Sequence, residues 1–229
     1  MATKQAKTLY IIGGGKGGVG KSMLTMALLD YLLSEAKNER VTLVETDPAN
    51  PDVYKSYEKV KSVGHKLIAL DREQGWINLL NDLPELIKAP VIVNTAAGAS
   101  AALMQHMPML FDAQKELGFD LRMFWPINRQ RDSLVLLNEV LNAMPNIHTT
   151  VVRNTYFGGA DKFVLFDESK VKDRVQQVMD LPELNDRVTD QLINKRLPLD
   201  SGNELAFGDR IALQRFRAAC AEALKAAGV

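Results

Sequence analysis

The chain has 229 residues, 46% hydrophobic and 24% charged, with 28 basic and 28 acidic side chains and one cysteine, Cys220. That length buries roughly 70% of the unfolded surface, so the core needs no covalent staples, and a lone cysteine excludes an internal disulfide framework. Zero net charge excludes a basic field over the whole molecule as a means of gathering nucleic acid, though not a local basic patch.

The polar opening MATKQAK leads straight into an apolar run at 8–12, TLYII. There is no signal-peptide core and no apolar stretch of membrane-spanning length, so the expectation is a soluble, cytoplasmic protein. A glycine-rich loop follows at 13–22, then a helix over 22–36 with Met23, Met26, Ala27, Leu29 and Leu33 on a broad apolar face. RVTLVE (40–45) reads as the second strand; TDPANPD (46–52) breaks it with two prolines and caps the next helix. Further strands are expected at 65–70, 90–94, 121–127 and 148–153, with 176–181 as a weaker one. Helical patterns occupy 74–83, 101–117, 131–144 and 209–227, where Cys220 reads as a small buried residue. Strands apolar throughout, alternating with helices, predict a single α/β domain over 1–229, a mostly parallel twisted sheet with helices on both faces. Ligands of such sheets bind beyond the carboxyl ends of the strands. The unusual residues fall there: Gly13–Ser22, Glu45–Asp52, Asn94–Ser100 and Asn154–Asp161.

Two motifs overlap in GGGKGGVGKS (13–22). Gly15-x-Gly17-x-x-Gly20 fits a dinucleotide fingerprint, with Glu45 as its ribose-binding acid; Gly15-x-x-x-x-Gly20-Lys21-Ser22 fits a phosphate loop. Both place phosphate on the N–H groups that open a helix. The Gly-Lys-Ser ending favours the second. A triphosphate with Mg²⁺ uses an ammonium, Lys21, on its β/γ oxygens and a hydroxyl, Ser22, on the metal, whereas a dinucleotide needs neither. The phosphate-loop domain is therefore expected to bind nucleotide through Gly15 to Met23.

The second lysine carries a resemblance. KGGVGKS (16–22) resembles the deviant Walker A loop of the ParA/MinD family, which includes nitrogenase iron protein-like and arsenite-pump-like ATPases. The resemblance implies a nucleotide set of Gly15, Lys16, Gly17, Gly18, Val19, Gly20, Lys21, Ser22 and Met23. Lys16 would be the signature lysine that reaches the partner's phosphates in an ATP-dependent homodimer. VTLVETDPANPD (41–52) is similar to the family's second motif, which implies that Asp47 positions the attacking water near Mg²⁺, with Glu45 one methylene longer than the usual first acid. Read alone, Asp47 is better taken as the N-cap of the helix after Pro48. VIVNTAAGAS (91–100) is similar to the third motif and keeps Gly98, but Asn94 stands where the family has an aspartate behind the metal. Asparagine keeps an acceptor oxygen and loses the charge, so weakened Mg²⁺ binding and slow hydrolysis are expected. There is no guanine-type N-K-x-D motif; by position Asn154, Pro182 and Glu183 are candidate base contacts, or plain turn residues. His65, His106 and His148 lack metal-ligand spacing.

The last helix reads as a packed domain helix with a solvated face rather than a membrane anchor. Arg210, Arg215 and Arg217 are candidates for the nonspecific DNA binding of some ParA-like proteins, or simply that solvated face. The resemblance thus implies an ATPase, using ATP and Mg²⁺, that dimerises on ATP and positions a plasmid, a DNA-transfer complex or a protein cargo. The short chain resembles small plasmid partition or conjugation-associated members. Two alternatives stay open: a metabolic P-loop enzyme that phosphorylates a small substrate, and an ATP-holding module with negligible turnover.

Overall fold

A computed structural model describes residues 7–229; the polar leader 1–6 lies outside the described residues. The strands are β1 (Thr8–Ile12), β2 (Val41–Glu45), β3 (Val63–Leu67), β4 (Val91–Asn94), β5 (Asp120–Ile127), β6 (His148–Asn154) and β7 (Gln177–Leu181). They form one sheet in the order β3-β2-β4-β1-β5-β6-β7, with every pairing parallel. The chain moves outward one way from the central β1 through β2 and β3. It then returns through β4 and leaves the other way through β5, β6 and β7, so the direction of winding changes beside β1. That switch point is where a parallel sheet leaves a crevice for ligands.

The helices are α1 (Lys21–Ser34), α2 (Asp52–Tyr57), α3 (Glu73–Leu86), α4 (Ser100–Leu117), α5 (Arg131–Ala143), α6 (Val164–Asp167), α7 (Asp186–Lys195) and α8 (Phe207–Ala226). Side chains alternate across each strand. Tyr10, Ile12, Leu43, Ile92, Phe124 and Val152 pack with α1, α2, α7 and α8. Leu9, Ile11, Val44, Val93, Met123, Trp125 and Val151 pack with α3, α4 and α5 on the other side. Burial on both faces is why the strands read as continuous apolar runs.

Four local expectations change. The α1 pattern suggested one apolar face, but every residue from Leu24 to Leu32 is buried. The cause is α8, which covers the outer side of α1: Arg217 donates to both Asp30 carboxylate oxygens at 2.8 and 2.7 Å, and Tyr31 donates to the Val229 carbonyl at 3.2 Å. β3 pairs over Val63–Leu67, two to three residues earlier than expected, because its register with β2 starts at Val41–Val63 and ends at Glu45–Leu67. Helix α2 starts at Asp52 with Pro51 at its N-cap and no side-chain cap, so Asp47 does not cap it. Finally, α7 falls in a stretch to which no element was assigned. It is short and mostly polar, burying only Val188 and Leu192 one turn apart, and Asn185 caps it by accepting from the Arg187 N–H at 3.1 Å.

Candidate nucleotide site

The loop after β1 is shaped by what packs on it. The Gly13 N–H extends the sheet by donating to the Phe124 carbonyl at 2.9 Å, and Gly15 lies flat against Leu136. Gly20 takes φ of 105° at the N-cap of α1, and a Cβ there would overlap the Asn154 side-chain amide. Only glycine meets both demands. No side chain caps α1, so its first N–H groups open toward the crevice, an arrangement that favours an anion.

Lys21 is buried and curls back, its Nζ donating to the Lys16 carbonyl at 3.0 Å. Burial pulls its pKa below the usual lysine value, while the charges of Asp47 and Glu45 oppose that shift. This is a cation held near two acids, partly stripped of water, at the place where phosphate would dock. Ser22 is exposed and lines the same cavity as Gly17, Gly18, Met23 and Asp47. Asp47 is half-buried, and its Oδ1 accepts from the Ala49 and Asn50 N–H groups, each at 3.1 Å. It therefore closes the 47–50 turn as it faces the cavity.

Glu45 and Asn94 are direct register partners at the carboxyl ends of β2 and β4. Asn94 Nδ2 donates to Glu45 Oε1 at 3.1 Å and to Oε2 at 3.0 Å, and the Thr46 N–H adds a bond at 3.2 Å. Glu45 is only 1% exposed, and burial raises its pKa to about 7 against the opposing pull of these hydrogen bonds. The Thr25 hydroxyl lies 3.1 Å from Asn94 Oδ1 and 2.9 Å from the Lys21 carbonyl. The β4 end is tied to its neighbours by Thr95, which donates to the Ile12 carbonyl at 2.7 Å, and by the Ala96 N–H, which donates to the Thr46 hydroxyl at 2.9 Å. One network thus joins the phosphate loop to the segments that end β2 and β4.

The far wall of the cavity, of about 400 Å³, is made by Asn154, Tyr156, Leu184, Thr189 and Ile193. Asn154 donates to the Val19 carbonyl at 3.0 Å and accepts from the Tyr156 N–H at 3.2 Å, so it buttresses the phosphate loop as well as lining the cavity. Pro182 and Glu183 are absent from the lining; the neighbouring Leu184 takes that place. Thr189 and Ile193 escaped the sequence reading because they face the crevice only once α7 has docked; Tyr156 lies on the short helical turn after β6. Lys16 sits outside the cavity, its Nζ 2.6 Å from Asp132, with 38% and 67% of the two side chains exposed. Hard oxygens from Ser22, Asp47 and Glu45 share the phosphate end, and the described residues contain no cluster of three or more metal-ligating side chains. That donor set fits Mg²⁺, which binds through one or two carboxylates plus substrate phosphates rather than a dedicated cage.

Residues 10–177 match the description of the CobQ/CobB/MinD/ParA nucleotide-binding domain, CbiA. The chain belongs to this family. It is 42% identical over 217 residues to Protein MobD of Acidithiobacillus ferrooxidans, covering 93% of this chain and 94% of that one. Among solved structures it resembles a chain of the MinC:MinD cell division protein complex from Aquifex aeolicus, with a TM-score of 0.54, 16% identity and coverage of 98% and 97%. It also resembles a nucleotide-binding protein in complex with ADP from Archaeoglobus fulgidus, with a TM-score of 0.50, 13% identity and coverage of 80% and 85%. Asn94 is the neutral member of a hydrogen-bonded acid–amide pair at the carboxyl ends of β2 and β4.

The C-terminal arginines do not form one free surface. Arg217 is committed to Asp30, Arg210 lies over the Phe207 ring at 5.4 Å, and Arg215 is exposed. Among the described residues no helix is long and apolar enough to cross a membrane.

Proposed function

We propose that this chain is a cytoplasmic ATPase switch that binds ATP with Mg²⁺, dimerises on it, hydrolyses it slowly to ADP and phosphate, and thereby positions a cargo. The observation that carries the reading is the buried Lys21 at the open N-terminus of α1, facing Asp47 across one cavity, with Lys16 outside at the rim.

The β and γ phosphates take the N–H groups of α1, and Lys21 exchanges the Lys16 carbonyl for phosphate oxygens. Bound Mg²⁺, held by Ser22 with Asp47 nearby, supplies positive charge to the phosphoryl oxygens. Asp47 is kept in place by its two turn bonds and accepts a hydrogen bond from the attacking water. Lys16 is held only by an exposed ion pair, so it leaves Asp132 at little cost and reaches the phosphates of a second copy. The base lies against Asn154, Tyr156 and Leu184, with α7 behind it.

The cargo of such a switch would be a plasmid, a DNA-transfer complex or a protein; membership of a nucleotide-binding family that includes MinD and ParA, and 42% identity to Protein MobD, are consistent with this reading. Light scattering of the full chain with ATP and Mg²⁺, together with product analysis, tests the switch. A doubled mass and free phosphate alone support it; a phosphorylated metabolite points to a small-molecule kinase. Co-purification with a non-hydrolysable ATP analogue identifies the cargo.

A further inference from the structure

We infer that Glu45 carries the buried carboxylate that faces the metal end of this site, and that Asn94 is its positioning residue, the two forming an acid–amide pair whose members depend on each other. The inference rests on the proposed nucleotide and Mg²⁺ reading of the cavity.

Register supplies the first argument. Glu45 and Asn94 end adjacent parallel strands directly opposite each other, and Ile12, the last residue of β1 before the phosphate loop, is Asn94's partner on its other side. Both side chains line the cavity that also holds Ser22 and Asp47. Whatever charge this pair bears is therefore set beside the loop hydroxyl and the phosphates.

Hydrogen-bond capacity supplies the second. An asparagine amide has two N–H donors and one acceptor oxygen. Here the NH₂ group addresses both Glu45 oxygens, at 3.1 and 3.0 Å, and the oxygen faces the Thr25 hydroxyl at 3.1 Å. Rotating the amide by half a turn would set its oxygen against two carboxylate oxygens, so the orientation is fixed by the acid. The acid in turn is fixed by the amide. Glu45 has one more methylene than aspartate and almost no contact with water, and two N–H donors from Asn94 and one from Thr46 hold it. Thr25 lies one helical turn beyond Lys21 and accordingly links the positioning amide to the helix that presents the phosphate lysine.

Electrostatics supplies the third. An aspartate at 94 would place a second carboxylate about 3 Å from the first, as measured by the bonds it would replace. Two carboxylates that close cannot both remain ionised. The neutral residue at 94 is therefore not a missing charge: the site keeps one buried acid and carries it on the neighbouring strand. Restoring an acid at 94 alone should damage the metal site, whereas exchanging both members, Glu45→Gln with Asn94→Asp, reverses donor and acceptor and keeps the single charge.

The experiment uses the full chain loaded with ADP, with Mn²⁺ as the probe, its free concentration read by electron paramagnetic resonance. ADP affinity in EDTA and melting temperature are measured alongside. Glu45→Gln, Asn94→Asp and Asn94→Ala are each expected to lose about 10–100-fold in Mn²⁺ affinity, the usual cost of removing a partner that orients a metal site. The double exchange should regain at least about tenfold over Asn94→Asp, a rescue that a purely structural role would not produce in metal affinity. Asn94→Asp binding Mn²⁺ as tightly as wild type overturns the inference, as does a double variant no better than the weaker single. Should Asn94→Asp fail to fold, Glu45→Gln and Asn94→Ala, which add no charge, decide: wild-type Mn²⁺ affinity in either overturns it. A wild-type chain that binds no ADP in EDTA overturns the nucleotide reading itself.

Discussion

Replacing Lys21 by methionine separates the lysine's functional charge from its packing. The side chain is buried, and its Nζ makes one hydrogen bond, to the Lys16 carbonyl. Methionine fills much the same volume. In the nucleotide-free chain the change loses that bond, about 1 kcal/mol. It also removes an ammonium whose charged form burial disfavours, as the lowered pKa shows. These effects oppose each other, so the melting temperature should move by no more than about 3 °C. If Lys21 takes the phosphates as proposed, it gains two charge-assisted hydrogen bonds of ~1.5–3 kcal/mol each, so their loss should total about 4 kcal/mol, or ~10³-fold in affinity. Binding of a fluorescent ATP analogue, with melting followed in parallel, reads both quantities. Affinity within about threefold of wild type would refute the phosphate-loop reasoning, since the largest local countercharge would have gone without effect. A fall of more than ~10 °C without nucleotide would instead make Lys21 a structural lysine.

Lys16→Ala should retain ATP binding and melting temperature, because its ion pair with Asp132 is exposed and screened by water, but should abolish the ATP-dependent doubling of mass in light scattering. Normal dimerisation would reduce Lys16 to an ordinary loop lysine. Asp47→Ala should lose both turn bonds and melt ~3–6 °C lower, whereas Asp47→Asn keeps the turn's acceptor and should lose hydrolysis with little change in melting; wild-type phosphate release by Asp47→Asn would sink the water-positioning role. Arg217→Ala strands the Asp30 carboxylate between α1 and α8 and should destabilise by about 2–3 kcal/mol in urea, with Asp30→Ala/Arg217→Ala recovering part of the loss. If Arg217→Ala weakens DNA retention on a gel without lowering stability, the arginine serves a nucleic-acid surface instead.

Particular residues show where the sequence was legible. The phosphate loop could be read because its constraints are local: Gly20 needs a φ that other residues avoid, and the lysine and hydroxyl follow it at once in the chain. Strand identity was legible because both faces of the sheet are covered, which makes each strand apolar throughout. The β3 bounds were not, since an edge pairing is set by the neighbour's register. Helix α7 was missed although Val188 and Leu192 stand one turn apart behind the Asn185 cap, because it is short and mostly polar, and with it went Thr189 and Ile193 of the cavity wall.

Local backbone demands and hydrophobic period, both functions of neighbours in sequence, settled by themselves that this chain forms a parallel α/β sheet with a phosphate loop after its first strand. The Gly-Lys-Ser ending of the loop marked Lys21 and Ser22, and the resemblance to the ParA/MinD motifs marked Lys16 and Asp47. Tertiary structure decided what those residues meet. Asp47 closes its own turn rather than capping α2, and Arg217 is spent on Asp30. Asn94, which in sequence is a carboxylate exchanged for an amide, becomes in the sheet the donor that holds Glu45. Forty-nine residues separate the two, and no local rule couples them. Only the parallel register of β2 on β4 sets them opposite each other, and only the docking of α1 supplies the Thr25 hydroxyl that orients the amide.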